Sequence, residues 1–234
     1  MLILLSPAKT FNDKTKQSKK AFKSLNKANQ LIKILSNKSE DELKNELKIS
    51  SNLAKLAFNY YQNINFNNQA ISLYGGEAFK HLKAFELSYK SLNKLYILSP
   101  LYGLINANDA ISPYRLDIKD KILDISLYDY WYDEINYHLN ELNPNLIINL
   151  ASGEFARLLN KNNKKIYTIN FGILNDGKIK SHSMMLKKMR GLMTNYLLKN
   201  NIKTIKQLKQ IEIDGFTYNK DYSKNQLLMF IKEG

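Results

Sequence analysis

Two apolar runs in this 234-residue chain end in residues that could do chemistry. Met1-Leu2-Ile3-Leu4-Leu5 gives way to Ser6-Pro7-Ala8-Lys9-Thr10, and Leu146-Ile147-Ile148-Asn149-Leu150 gives way to Ala151-Ser152-Gly153-Glu154. Each places a hydroxyl and a charge just past a short apolar strand, the first closed by a proline that cannot donate to a ladder. Lys9 could clamp a phosphate or serve as a desolvated amine, and Glu154 could act as acid or base. Ligands of open α/β sheets gather outside the carboxyl ends of strands, which makes both edges candidates. An ordinary solvated loop would use the same residues.

Arginine is rare here. Of 35 basic residues only Arg115, Arg157 and Arg190 are arginines. Where lysine is the default cation, an arginine marks a task that a point charge does poorly: bidentate contact with a carboxylate or phosphate, or stacking on a ring. Structural ion pairs use the same geometry.

Other chemistries are excluded or poorly supported. The chain has no cysteine, which removes disulfides, thiolate metal sites and a cysteine nucleophile. Neither glycine-rich nucleotide fingerprint occurs, and Ser152 lacks a nucleophile elbow. His81 and His138 each follow a glutamate by four residues (Glu77 and Glu134), which puts each pair on one helical face. A metal site would need more carboxylates at a different spacing, so no metal and no other cofactor is expected.

The net charge is +14 and unevenly spread. Residues 1–60 carry +7, residues 61–150 carry −3 and residues 151–234 carry +10. Folding could gather the two basic ends into one positive face that attracts polyanions. A lysine-rich surface that serves only solubility fits the same numbers.

The elements that must position these residues follow from periodicity. A strand at Met1–Leu5 precedes an amphipathic helix carrying Phe22, Leu25, Ala28, Leu31, Ile32 and Leu35. Ser39 with Glu42 forms a capping box for a helix ending near Leu47, and Ser50 or Ser51 caps another running to about Tyr61. Such a pair has the skeleton of a helix-hairpin-helix, whose turn offers backbone N–H groups to phosphates, but Lys48-Ile49-Ser50 lacks glycine and an ordinary αα-corner fits the sequence better. Ala70–Tyr74 reads as a strand broken by Gly75-Gly76 before a helix from Glu77 to Leu82. Leu95–Ser99 is a strand, and Ile111–Leu116 is extended around Pro113. A helix follows from Tyr128 to about Leu142, its aromatic start able to pack a core or to stack on bases. Leu146–Leu150 is a strand, and a hairpin turns at Asn175–Lys178. A long helix spans Met184–Asn200 with Lys187, Lys188 and Arg190 off its apolar side, and Gly191 beside them allows a close backbone approach. Strands at Gly215–Tyr218 and Leu227–Phe230 pair at the end.

Five stretches taken together carry a family resemblance. M-L-I-L-L-S-P-A-K-T from Met1, L-S-P-L-Y-G-L from Leu98, S-P-Y-R-L from Ser112, I-N-L-A-S-G-E from Ile148 and K-M-R-G-L-M from Lys188 occur in the order and spacing of the YaaA family. The chain resembles these bacterial peroxide stress proteins over nearly its whole length. The resemblance implies a single-domain mixed α/β fold and a part in limiting peroxide damage, linked to lower free iron. It also implies binding of duplex DNA by a positive cleft with a helix-hairpin-helix. Pro100 stands where the family usually has glycine, and the helical pair has no turn glycine.

The expectation is therefore one α/β (mixed α+β) domain over residues 1–234, with a central mixed sheet flanked by helices and containing the helical pair. The protein is expected to be cytoplasmic and monomeric, with double-stranded DNA as partner and no membrane attachment. Lys9, Lys187, Lys188 and Arg190 would line the cleft with Arg115 and Arg157 nearby, and Lys44, Lys48 and Lys55 would hold phosphates beside the helical pair. The alternative is an enzyme acting on a nucleotide or other phosphorylated small molecule, its pocket built from Ser6, Lys9, Thr10, Arg115, Ser152, Glu154 and Arg190.

Overall fold

The computed structural model describes residues 1–200 and 202–234. In chain order, β1 (Leu2–Leu5) leads to α1 (Leu25–Ser36), α2 (Glu40–Glu46) and α3 (Ser51–Gln62). Next come β2 (Asn68–Gln69), α4 (Ala70–Leu73), α5 (Glu77–Leu82) and α6 (Tyr89–Leu92). Strands β3 (Leu95–Ser99), β4 (Gly103–Asn106) and β5 (Ala110–Ile111) precede α7 (Leu127–Glu141). Then β6 (Ile147–Asn149), α8 (Gly153–Ala156), β7 (Ile166–Asn175) and β8 (Lys178–Lys180) lead to α9 (Ser183–Lys199). The chain finishes with α10 (Ile205–Leu208), β9 (Glu212–Ile213), β10 (Phe216–Lys224) and β11 (Leu227–Glu233).

The main sheet runs β4-β3-β1-β6-β7-β11-β10-β9, with β8 pairing to β7. Its centre, from β3 to β11, is parallel. Antiparallel strands close both margins. Parallel strands covered on both faces need apolar residues at every position, and β1 shows this: Ile3, Leu4 and Leu5 are all buried. The chain leaves β1 toward β3 on one side, while β6 continues toward β7 on the other. The β1/β6 boundary is therefore a topological switch point, where crevices form beyond the strand ends.

The expected mixed fold is present, with two departures. Ala70–Leu73 is a helical turn and not a strand. All four residues are buried, so the segment shows no alternation that could separate strand from helix. Its first amides bond to Asp109 O and Ala107 O, which fastens the turn beneath the β4–β5 connection. Strand β4 follows Ser99 at once, turning at Pro100 through Gly103. Gly103 has φ +68°, and a Cβ there would lie 2.7 Å from the Trp131 ring. Trp131 in turn donates its indole N–H to Pro100 O at 2.8 Å. The proline is thus accommodated as an acceptor that ties α7 to the edge hairpin.

Candidate functional site: the strand ends beside β1 and β6

Ser6 and Ser152 leave neighbouring parallel strands and meet. The Ser6 hydroxyl accepts the Ser152 N–H at 2.8 Å, and the two hydroxyl oxygens are 3.2 Å apart. The loop beyond Ser6 rests on Gly75 and Gly76: the Gly75 N–H donates to Thr10 O at 2.8 Å, and a Cβ on Gly75 would lie 3.0 Å from Asn12 Oδ1. These glycines admit the chain's own loop.

The third wall is the segment from Ser112 to Asp120. Tyr114, Leu116 and Ile118 are buried, so the alternating Arg115, Asp117 and Lys119 face outward. Tyr114 fixes the register. Its hydroxyl lies 2.9 Å from both Tyr74 OH and Ser99 Oγ, and burial pushes its ionisation up to about 12. Tyr102 donates to Ser112 O at 2.8 Å and Tyr61 to Arg115 O at 2.6 Å. The backbone carrying Arg115 is thereby pinned from both sides.

The charges along this edge are largely answered by one another. Lys9 is ion-paired with Asp117, and Lys119 with Glu154. Burial alone would raise Asp117, but the hydrogen bond and charge of Lys9 more than offset it and hold the carboxyl below its usual range. Asp120 goes the other way, raised by burial and by neighbouring Asp117 although Arg115 and Lys9 oppose the rise. The Arg157 guanidinium stacks 4.3 Å over the Tyr128 ring. Asp117, Lys119 and Asp120 belong to this edge although only their neighbours stood out in the sequence, and Tyr128 joins them from the aromatic start of α7. The alternation of charged and apolar residues from Tyr114 to Lys119 was the signal that could have revealed Asp117 and Lys119.

Arg190 sits on α9, half-buried, and burial without a compensating charge lowers its pKa. Its Nε is buried with no hydrogen-bond partner. The next residue, Gly191, packs against α5, where a Cβ would overlap the Ala78 carbonyl oxygen. The close backbone approach expected at Gly191 is thus made within the chain. Lys188 is paired with Asp214 at 2.7 Å, whereas Lys187 is exposed.

On the helical pair the capping box is complete, with Ser39 accepting from the Glu42 N–H and Glu42 from the Ser39 N–H. Lys48 takes φ +51° in the turn, a left-handed conformation reached without glycine. Lys44, Lys48 and Lys55 are exposed, and among the described residues none has an ion-pair partner. Around the far side of α8, a cavity of about 880 Å³ reaches from Asn149 and Ala156 to the β10–β11 turn. Lys161, Lys164 and Lys224 line it together with the amides of Asn160, Asn163 and Gln226, and no carboxylate does. Among the described residues, no group of three or more His, Asp or Glu side chains is placed to hold a metal ion, and no helix is long and apolar enough to cross a membrane.

A parallel-centred sheet with ion pairs along its switch-point edge and many exposed lysines defines a basic mixed α/β protein without a dinucleotide-binding loop. More narrowly, the chain belongs to the YaaA family: residues 1–222 match the family described as peroxide stress protein YaaA. It is similar to a UPF0246 protein of Fusobacterium nucleatum, 39% identical over 250 residues covering 100% of this chain and 99% of the relative. A UPF0246 protein of Rickettsia felis is 34% identical over 252 residues, with both chains fully covered. One from Finegoldia magna is 36% identical over 245 residues, covering 99% and 98%.

Proposed function

We propose that this peroxide stress protein binds duplex DNA through lysines that its own carboxylates leave free, and so limits iron-dependent peroxide damage to the bound strand. The observation that carries the reading is the cavity lined by Lys161, Lys164 and Lys224 with no acidic residue on its wall. Lys44, Lys48, Lys55 and Lys187 are further exposed cations of the same kind. Lys9 and Lys188 would join them only if their ion pairs with Asp117 and Asp214 opened. Arg115, Arg157 and Arg190, held by backbone anchoring, stacking and burial, would flank the contact.

Contacts of this type go to phosphates, so affinity should fall steeply with salt and depend little on sequence. The test is titration of a duplex at several salt concentrations with the native protein and two triple variants, Lys161/Lys164/Lys224→Ala and Lys44/Lys48/Lys55→Ala. Each variant should weaken binding and flatten the log–log salt slope by up to about 3. Salt-independent binding, or native affinity in both variants, would refute the reading.

The second reading, an enzyme acting on a phosphorylated small molecule, is favoured by the joined hydroxyls of Ser6 and Ser152 with Lys9, Arg115 and Asp120 along the same edge. Turnover of a nucleotide or sugar phosphate that disappears in Ser152→Ala would support it, and inertness toward such a panel would end it.

A further inference from the structure

Arg190 is a cation that nothing in the chain answers. It is half-buried, its Nε is closed off from solvent without an acceptor, and among the described residues it has no ion pair. Its two terminal nitrogens make no hydrogen bond either, but they stay open to solvent. The outer edge of the guanidinium fork is therefore both unsatisfied and reachable. Partly buried charges are normally paired, because an unanswered one is costly. A missing anion is the direct reading.

The packing of two helices shows where the fork points. α5 and α9 lie side by side and run the same way: Gly191 meets Ala78, and one turn further along each helix Asn195 donates to Leu82 O at 2.7 Å. α5 begins at Gly76, where a Cβ would lie 3.3 Å from Thr10 Oγ1 and 3.6 Å from the Ala8 Cβ. The loop past the carboxyl end of β1 thus stands at the N-terminal ends of both helices. Helical side chains lean toward the N-terminus of their own helix. Arg190 lies on α9 between the buried side of Met189 and Met193 and the Gly191 contact with α5, so its guanidinium leans toward Thr10.

We infer that this corner between α5, α9 and the β1 loop receives a terminal phosphate, a phosphate monoester, with Arg190 gripping two of its oxygens and the exposed Thr10 hydroxyl donating to the third. A monoester offers three strong acceptor oxygens and a charge of about −1.5 to −2. The planar fork of arginine matches two of those oxygens at once. A phosphodiester within a strand is flanked by sugar on both sides and stays on the exposed lysines, whereas a terminal group can enter head-on. A free nucleotide and the 5′-phosphate at a DNA end share that group. The assignment deepens the reading of this edge as a site for phosphorylated small molecules, and it requires no turnover.

The test is NMR of the ¹⁵N-labelled full chain. Three arginines give three Nε–Hε resonances, and that of Arg190 is the one missing in Arg190→Lys. Methyl phosphate should shift this resonance to saturation, with dimethyl phosphate and acetate weaker by about tenfold or more. Followed by backbone amides, Arg190→Lys, which keeps the charge but loses the fork, should weaken methyl phosphate by about tenfold. Thr10→Ala should weaken it about threefold, the worth of one hydrogen bond, and its exposed position keeps the test open should the arginine variant fold poorly. Deoxyadenosine 5′-monophosphate and a duplex with or without its 5′-phosphate then separate the two sources. Tighter binding of the nucleotide than of its nucleoside, or of the phosphorylated duplex than of the unphosphorylated one, supports the site. An unmoved Arg190 resonance, dimethyl phosphate or acetate bound as tightly as methyl phosphate, or native affinity in both variants would overturn it. Because the probe is small and followed without turnover, these results stand apart from whether the protein binds duplex through its lysines or transforms a substrate.

Discussion

Asp120 accepts the Asp117 N–H at 2.6 Å from a half-buried position, and burial together with the Asp117 charge raises its pKa. A carboxyl whose folded-state value lies above its unfolded one binds its proton more tightly in the folded state. The fold therefore loses stability as pH rises through that interval. Asp120→Asn keeps the acceptor oxygen and removes the titration. The variant should match the native protein near pH 3 and be the more stable of the two at pH 7, read from urea unfolding at both values. A constant difference would show that the carboxyl does not titrate as described. Asp117 runs the other way: its lowered value adds stability above the unfolded carboxylate range, lost as pH falls through the folded one. The position of Lys9 just past the end of β1 was legible in the sequence. Its partner was not, because Asp117 arrives from a distant segment whose register is set by Tyr114.

At the scale of elements, local signals with a physical mechanism were legible. The Ser39/Glu42 capping box, the Asn175–Lys178 hairpin and the apolar run of β1 all depend on neighbours within a few residues. Ala70–Leu73 was misread because uniform burial erases periodicity, and β9 was missed because two residues carry no pattern. Gly191 makes the contact between α5 and α9 possible, and that contact predicts an unusual sign. In an exposed helix Gly→Ala gains about 1 kcal/mol. Here the added methyl would overlap the Ala78 carbonyl oxygen and lie 3.0 Å from His81 Cβ. Gly191→Ala should therefore destabilise the protein by roughly 1–3 kcal/mol, seen as a lower urea midpoint. A midpoint at or above the native one would mean that the two helices can separate cheaply.

For the whole molecule, composition revealed a strongly basic chain, but the sheet order places β1 between β3 and β6, strands far away in sequence. No local pattern encodes that, so the meeting of Ser6 with Ser152 had to come from the fold. The same non-local order joins both margins of the sheet into one core. The chain holds a single tryptophan, and it is fully buried where α7 locks the edge hairpin. That makes Trp131 a built-in optical reporter. Its emission should be blue-shifted in the folded protein and move red on unfolding, at the same denaturant concentration at which circular dichroism reports loss of helix. A red shift that comes first would mean that the β3–β4 hairpin undocks from α7 as a separate event, giving the protein a loose margin beside an intact sheet.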